Sequence, residues 1–404
     1  MWMFIISLTI PFLIWGPFFP DLIVSLSALV FLVYVVRKKK LYYFYNKPLI
    51  FFFIFCIYCI FVSVIIAKNT LLSLESSLFY FRIGVFACLI CYLIDKNQKI
   101  LSYFYYSLVI CFSALIVDGY TQVFTGYNIF GLSKISTRTS SFFGDELIMG
   151  SYLSRLFPLL FGFFLIKKKK LSELYYVSSL FILTSGLIYS SGERSSFFLF
   201  ILSFMFIMIF IKQFIKLRII LFTFFLILIL LLNFIFAEIK ARMITTTIVN
   251  MSAKTLFTPQ HDSLMRTAYN MFLDKPIFGH GPKMFRVVCK EEKYSTGITP
   301  CMTHPHNFYV QLLAETGVVG FIFLFSVFAY VLYCAYRQLK SIILSQKRYL
   351  TDYQVCLLAG ILITVWPLNT NGNFFHNWLM IVYSLPIGFY LHSIYGKNRK
   401  NISF

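Results

Sequence analysis

The chain has 404 residues, of which 59% are hydrophobic, 20% aromatic and only 13% charged, with a formal net charge of +21. A soluble domain carries roughly a quarter charged residues, so a water-soluble globular protein is excluded. The basic residues come as short clusters between apolar runs, not on one face with interleaved aromatics, which excludes a nucleic-acid partner.

Apolar stretches able to span a bilayer are expected at about 3–19, 21–36, 48–67, 75–94, 100–117, 149–166, 173–190, 195–211, 219–236, 318–336, 353–370 and 375–394. The first lacks a basic start and a small-residue cleavage site, and reads as a retained span. Basic clusters follow alternate spans: Arg37 to Lys40 with Lys47, Lys96 with Lys99, Lys167 to Lys170, Lys212 to Arg218, Arg337 to Arg348, and Lys397 to Lys400. Twelve spans place both termini on one side. That side holds 21 Lys and Arg, against 4 in the short loops opposite, so the termini are expected in the cytoplasm. The expected architecture is an all-α polytopic membrane protein of about 12 transmembrane helices. Spans 1–9 lie in 1–236 with an outer loop at 118–148, a large periplasmic loop domain of short helices occupies 237–317, and spans 10–12 with a cytoplasmic tail fill 318–404. The expected location is a bacterial inner membrane. No internal repeat of the transporter kind relates the two halves.

Most of the nine cysteines lie inside spans. Cys56/Cys59 and Cys88/Cys91 have CxxC spacing but sit in apolar helices, and read as small hydrophobes. Cys289 and Cys301 are the two in the polar block. Outside the cytoplasm a disulfide between them stands as an alternative to free thiols, closing a short loop worth roughly 2–3 kcal/mol.

The polar block carries the chemistry. Four of the six histidines, His261, His280, His304 and His306, fall within it. Pro305 suits the first position of a helix over 305–316, with His304 near its cap and Gly317 at its stop. His306 then sits in the first turn, where the positive end of the helix dipole disfavours imidazolium. A neutral His306 suits a general base; a capping or packing histidine is the equal alternative. The four histidines contain a metal-like set, but nothing fixes their spacing, and no metal is expected. Asp262 or Ser263 caps a helix running to about Leu273 and carrying Arg266, for which a solvated charge is the default reading. Gly279, Gly281 and Pro282 make a tight turn.

Arg194, in Gly192-Glu193-Arg194-Ser195, stands at the outer mouth between two spans, either snorkelling or binding an anionic head group. Arg138 lies in the 118–148 loop. Arg82 and Arg155 lie inside spans, where arginines are paired or functional; Asp145 or Glu146 is the expected partner of Arg155. No DxD motif, Walker loop, GxSxG or HExxH is present, so no cofactor and no metal-held nucleotide sugar is expected.

Together these residues resemble the O-antigen ligase and O-antigen polymerase superfamily. The resemblance rests on Ser191-Gly192-Glu193-Arg194-Ser195, on Arg266 followed by Asp274-Lys275-Pro276-Ile277-Phe278-Gly279-His280-Gly281, and on the HN-x9-GxxG pattern met at His306, Asn307, Gly317 and Gly320. The loop 119–131 and the stretch 137–153 also look like that family's earlier outer loop. The resemblance implies a metal-independent, inverting membrane glycosyltransferase whose donor is a glycan on undecaprenyl pyrophosphate. It implies Arg194 and Arg266 as holders of the pyrophosphate and His306 as the base that deprotonates the acceptor hydroxyl. Arg138, His304, Asn307, Gly317 and Gly320 take supporting roles. The acceptor is lipid A–core for a ligase, the first expectation, or a lipid-linked repeat unit for a polymerase; a transporter or flippase binding an anionic substrate through the arginines is the third, less favoured alternative. Phe321 departs from the small polar or Tyr residue common after that Gly in ligases, and leans toward the polymerase.

Overall fold

A computed structural model describes residues 2–167, 171–252, 257–397 and 399. Lys168 to Lys170 and Lys400 of the basic clusters lie outside the described residues. The helices, in chain order, are α1 (Trp2–Ser7), α2 (Thr9–Trp15), α3 (Phe18–Arg37), α4 (Lys47–Ile65), α5 (Thr70–Ser77), α6 (Arg82–Lys96), α7 (Lys99–Thr125), α8 (Met149–Ile166), α9 (Leu171–Ser190) and α10 (Arg194–Phe210). They continue with α11 (Ile215–Ile235), α12 (Ala237–Lys240), a π-helical turn over Ala241–Thr245, α13 (Thr246–Ser252), α14 (Pro259–Asp274), α15 (Phe285–Val288), α16 (Phe308–Ile343), α17 (Asp352–Thr364) and α18 (Asn377–Tyr395). No strand occurs among the described residues. A bilayer leaves no other choice for single segments, because every backbone N–H and C=O must be satisfied within the segment itself.

By length and composition, eight helices among the described residues suffice to cross a membrane: α3, α4, α5 with α6, α7, α8, α11, α16 and α18. Three expected spans are shorter apolar helices, at Trp2–Trp15, Arg194–Phe210 and Asp352–Thr364. The bundle is built around α8, which packs on α17, α10 and α9, while α6 packs on α18 and α3. In α8, 83% of the apolar window is buried, against 17% in α11. The first is therefore a core helix, and the second shows its apolar side chains outward, as a lipid-facing helix does.

The fifth span runs longer than expected. Helix α7 continues to Thr125 and stops at Gly126, whose φ of +87° ends it in the left-handed region. Asp118 and Gln122, expected in a loop, are buried on the helix. They accept hydrogen bonds from the loop: Ile129 N and Ser141 Oγ donate to Asp118, and Ser140 N and Ser141 N to Gln122 Oε1. The loop thus spans 126–148 and is tied down onto α7.

The connections at 16–17, 66–69, 126–148, 191–193, 236–307 and 365–376 meet at one end of the bundle. Gly281 abuts Ala67, Lys68 pairs with Glu291 at 3.0 Å, Arg138 packs beside Gly192, and Ser195 Oγ lies 2.5 Å from Thr370 Oγ1. A second, small core forms there from Leu264, Ala268, Met271, Phe285, Val288 and Tyr294. Cys289 and Cys301, left open by the sequence, are disulfide-bonded beside it, with Cα atoms 5.2 Å apart.

Candidate active site

Asn307, not Pro305, starts α16. Its side chain accepts from Tyr309 N and Val310 N at 3.0 and 3.1 Å. The expected helix start is thus three residues early, because a capping amide satisfies the free N–H groups of the first turn and proline cannot. His306 therefore precedes the helix. It takes φ +59°, and its carbonyl accepts from Asn371 N at 2.8 Å. Asn307 Nδ2 donates to the carbonyls of Pro367 and Asn369 at 2.7 and 3.1 Å. The 365–376 connection is thus the cradle of the His306-Asn307 pair.

Arg155 of α8 holds that cradle. It is buried, donates to Asn371 Oδ1 at 2.9 Å and Thr364 Oγ1 at 3.2 Å, and stands 4.0 Å over the Tyr383 ring. The expected partners Asp145 and Glu146 are not used; neutral oxygens and an aromatic face take the guanidinium instead. Arg82 pairs with Asp21 at 2.5 Å and donates to Ser25 Oγ at 2.9 Å.

Three histidines converge. The His306 ring centroid lies 4.1 Å from that of His304 and 4.9 Å from that of His261. Burial, then the neighbouring His261, holds His306 down to about 4. Burial, then His306 and Arg286, holds His304 down to about 3. Burial and the charge of Arg194 lower His261. All three are neutral at pH 7, since an imidazolium here would lose its solvation. His280 stands apart: it is buried, with Nε2 3.0 Å from Met271 O and its ring edge-on to Tyr294. Among the described residues no group of three or more His, Cys, Asp or Glu side chains is disposed as metal ligands.

An arginine cluster lies at the mouth beside Glu193. Gly192 has φ +71°, and a Cβ there would come within 2.9 Å of Arg242 Nε and 3.4 Å of Arg138 Cγ. Arg242 Nε donates to Gly192 O at 2.8 Å, and Arg138 donates to Leu147 O at 3.0 Å. Arg194 opens α10 two residues on. Burial lowers both Arg138 and Arg242, and the charge of Arg194 presses each further down. The carboxylate beside this cluster, buried Glu193, is engaged by Gly150 N, Ser151 N and Ser196 Oγ. Arg138 Nε, Thr139 Oγ1 and Ser190 Oγ are buried with no hydrogen-bond partner. Unspent donors beside excess positive charge suit an anion.

Arg266 is placed differently. Thr258 caps α14 and Pro259 follows, so Asp262 lies in the first turn instead of at the cap. Asp262 is then free to pair with Arg266, one turn on, at 2.7 Å, and the arginine side chain is 69% exposed. The same helix delivers His261 to the histidine cluster.

Gly317, φ +64°, kinks α16 and separates 308–316 from the long apolar part. A Cβ there would collide with Ile277 O. The turn at Gly279 and Gly281 crosses this kink, with Gly281 N donating to Glu315 O at 2.7 Å and Val318 N to Pro276 O at 2.9 Å. A Cβ at Gly320 would collide with Thr316 Oγ1. These glycines serve close backbone approach.

Sequence reasoning missed Arg242 and the alternating Asn369, Asn371 and Asn373. Three amides between two apolar spans, and an arginine just after span nine, are the signals it passed over.

Residues 179–325 match the family model described as O-antigen ligase. Over 119 residues the chain is 24% identical to the teichuronic acid biosynthesis protein TuaE of Bacillus subtilis (strain 168), a match covering 30% of this chain. It spans about a quarter of that relative's length, 24%. Arg194, Arg242, Arg266 and the three clustered histidines all lie inside the segment, residues 179–325, that is similar to the O-antigen ligase family.

Proposed function

We propose that this protein is a membrane glycosyltransferase that moves a glycan from undecaprenyl pyrophosphate to a sugar hydroxyl of its acceptor, lipid A–core in the ligase reading. The observation that carries this reading is the meeting of a neutral histidine cluster with an arginine cluster, joined through Ser195–Thr370 and the Asn371–His306 bond. His306 takes the proton of the acceptor hydroxyl as its oxygen bonds to the anomeric carbon. The bond to the pyrophosphate oxygen breaks with its electron pair going to the leaving group. Arg138, Arg194 and Arg242 then face the charge that develops. Arg266 joins them by leaving Asp262, a surface ion pair worth at most about 1 kcal/mol. A single displacement of this kind inverts the anomeric carbon and calls for neither metal nor cofactor. Asn307, Gly317 and Gly320 hold the backbone that presents His306, and His304 packs against its ring.

In this reading twelve spans cross a bacterial inner membrane, both termini are cytoplasmic, and 237–317 is a periplasmic catalytic loop domain. The Cys289–Cys301 bond supports that side, since disulfides persist outside the cytoplasm. A polymerase, with a lipid-linked repeat as acceptor, is favoured by two observations. One relative is named for teichuronic acid biosynthesis, and Phe321 follows Gly320. Purified protein incubated with a lipid-linked oligosaccharide and either lipid A–core or a second lipid-linked repeat separates the two by product. No product with either acceptor sinks the glycosyltransferase reading.

A further inference from the structure

The arginine mouth reaches His306 through His261. His304, on the other contact of His306, leads elsewhere. The charges of Arg286 and His376 bear on His304, and those of Lys283 and Arg286 bear on His376. Lys283, Arg286 and His376, but not His304, line a cavity of about 590 Å³ between the start of α3 and the cap of α18, together with Asn373 of the connection that cradles His306. From this juxtaposition we propose that the cavity is a second subsite, taking the phosphorylated head group of a lipid acceptor, so that His306 stands between two anionic amphiphiles. The identity of that lipid as the acceptor rests on the glycosyltransferase reading; the subsite itself does not.

Arg286 Nε is buried with no hydrogen-bond partner. Lys283, at φ +60°, has a side chain only 16% exposed and faces Glu75 at 3.6 Å. The loop that presents both is fixed from beneath by buried Glu315, which accepts from Phe285 N and Gln311 Nε2 at 2.9 Å each. Gln311 in turn donates to Asn373 Oδ1 at 2.8 Å, locking the opposite wall. Two cations on a backbone fixed in advance by a buried network suit a phosphate, because the loop that carries them is ordered before the ligand arrives. Asp21, the other carboxylate of the lining, is already neutralised by Arg82. A free phosphate would need no more than this. The cavity, however, opens along Phe18 and Leu22, which line it and are 67% and 40% exposed. An apolar track leaving a cationic pocket fits a lipid tail leaving its head group.

The test is saturable binding of undecaprenyl pyrophosphate to the full-length protein in detergent, read as stoichiometry. Two molecules per chain are expected. Lys283→Gln with Arg286→Gln removes one, and Arg194→Gln removes the other. A single site in the wild type overturns the proposal, as does a second site untouched by Lys283→Gln with Arg286→Gln. Each variant is compared with wild type for melting temperature, and the single variant Arg286→Gln stands in if the double variant is unfolded. Inorganic pyrophosphate as competitor distinguishes the sources: displacement at equal concentration would show a free-anion site and overturn the lipid assignment. Lipid A–core and a lipid-linked repeat, added in turn, identify the acceptor that occupies the second site. In steady-state transfer, Arg286→Gln is expected to raise the acceptor KM about tenfold with the donor KM unchanged; a rise in the donor KM instead would overturn the assignment. Absence of any transfer by the wild type would count against the glycosyltransferase reading alone, with the stoichiometry still deciding the subsite.

Discussion

The His306 ring lies 4.9 Å from the His261 ring, with the two planes inclined by 43°. His261 feels the charge of Arg194, so this one pair connects the proposed base to the proposed anion site. The two residues are brought together from different helices, α14 and the approach to α16.

His306→Ala is expected to reduce glycan transfer to background while the protein stays in the membrane at wild-type level; near wild-type transfer would remove His306 as the base. The base must be unprotonated, and His306 is held down to about 4 in the free enzyme. The kcat/KM profile is therefore flat above about pH 5 and falls as pH drops through about 4. Removing His261, the second cause of that depression, moves the acid limb of His261→Ala to higher pH. The negative charge of bound donor favours imidazolium, so the limb of kcat lies above that of kcat/KM.

Acid should also unfold the protein. His261, His280, His304 and His306 all titrate below their ordinary value because they are buried. Their unfolded counterparts bind protons near pH 6.5, as free histidines do. The unfolded chain thus takes up protons first, and stability present above about pH 6.5 is lost as pH falls toward 4. The melting temperature measured between pH 7 and 4.5 should fall steadily; a flat profile would contradict the buried neutral histidines.

Arg242→Ala is expected to lower kcat/KM by about a hundredfold, the loss typical of one preorganised donor to a developing anion. Arg242→Lys keeps the charge but not the bond to Gly192 O, and should recover only part. Arg266→Ala is expected to abolish transfer, whereas Asp262→Ala frees Arg266 and leaves transfer at or above the wild-type rate. Wild-type kinetics in Arg266→Ala would leave the pyrophosphate to Arg138, Arg194 and Arg242.

Gly317→Ala places a side chain at φ +64° and against Ile277 O. With ψ at −163° this is a backbone region open essentially to glycine alone, costing a side chain on the order of 1–3 kcal/mol, and the collision pushes the Gly279 turn off the kink. A lowered melting temperature with loss of transfer is expected; a fully stable Gly317→Ala would show that the crossing tolerates a wider gap.

Cys289 and Cys301 should resist alkylation until a reductant is added. Opening the loop with Cys301→Ser should cost roughly 2–3 kcal/mol of stability in the small second core. Alkylation of both thiols in unreduced protein would exclude the bond.

The helical, membrane-spanning class was legible from the chain, because the bilayer tests each segment separately for length and apolarity. The candidate site was legible only where a local motif marks it: His306 with Asn307, the Gly317–Gly320 spacing, and Arg194 beside Gly192. Even there, local rules misplaced two helix starts, since Pro305 and Asp262 resemble start signals while Asn307 and Thr258 make the hydrogen bonds. The expected span of α7 stopped short at Asp118, because nothing local reveals that a loop will return to satisfy a buried carboxylate.

Hydropathy by itself determined that this chain is a bundle of apolar helices with one long polar segment between them. Only the tertiary structure decided that His261 joins His306, that Arg242 joins Arg138 over Gly192, that Arg155 supports the cradle through Asn371, and that Arg266 points outward to Asp262. The physical reason is range. Burial preference is summed over neighbours along the chain, whereas the meeting of two polar side chains depends on how separate helices pack, and no window of sequence contains both partners.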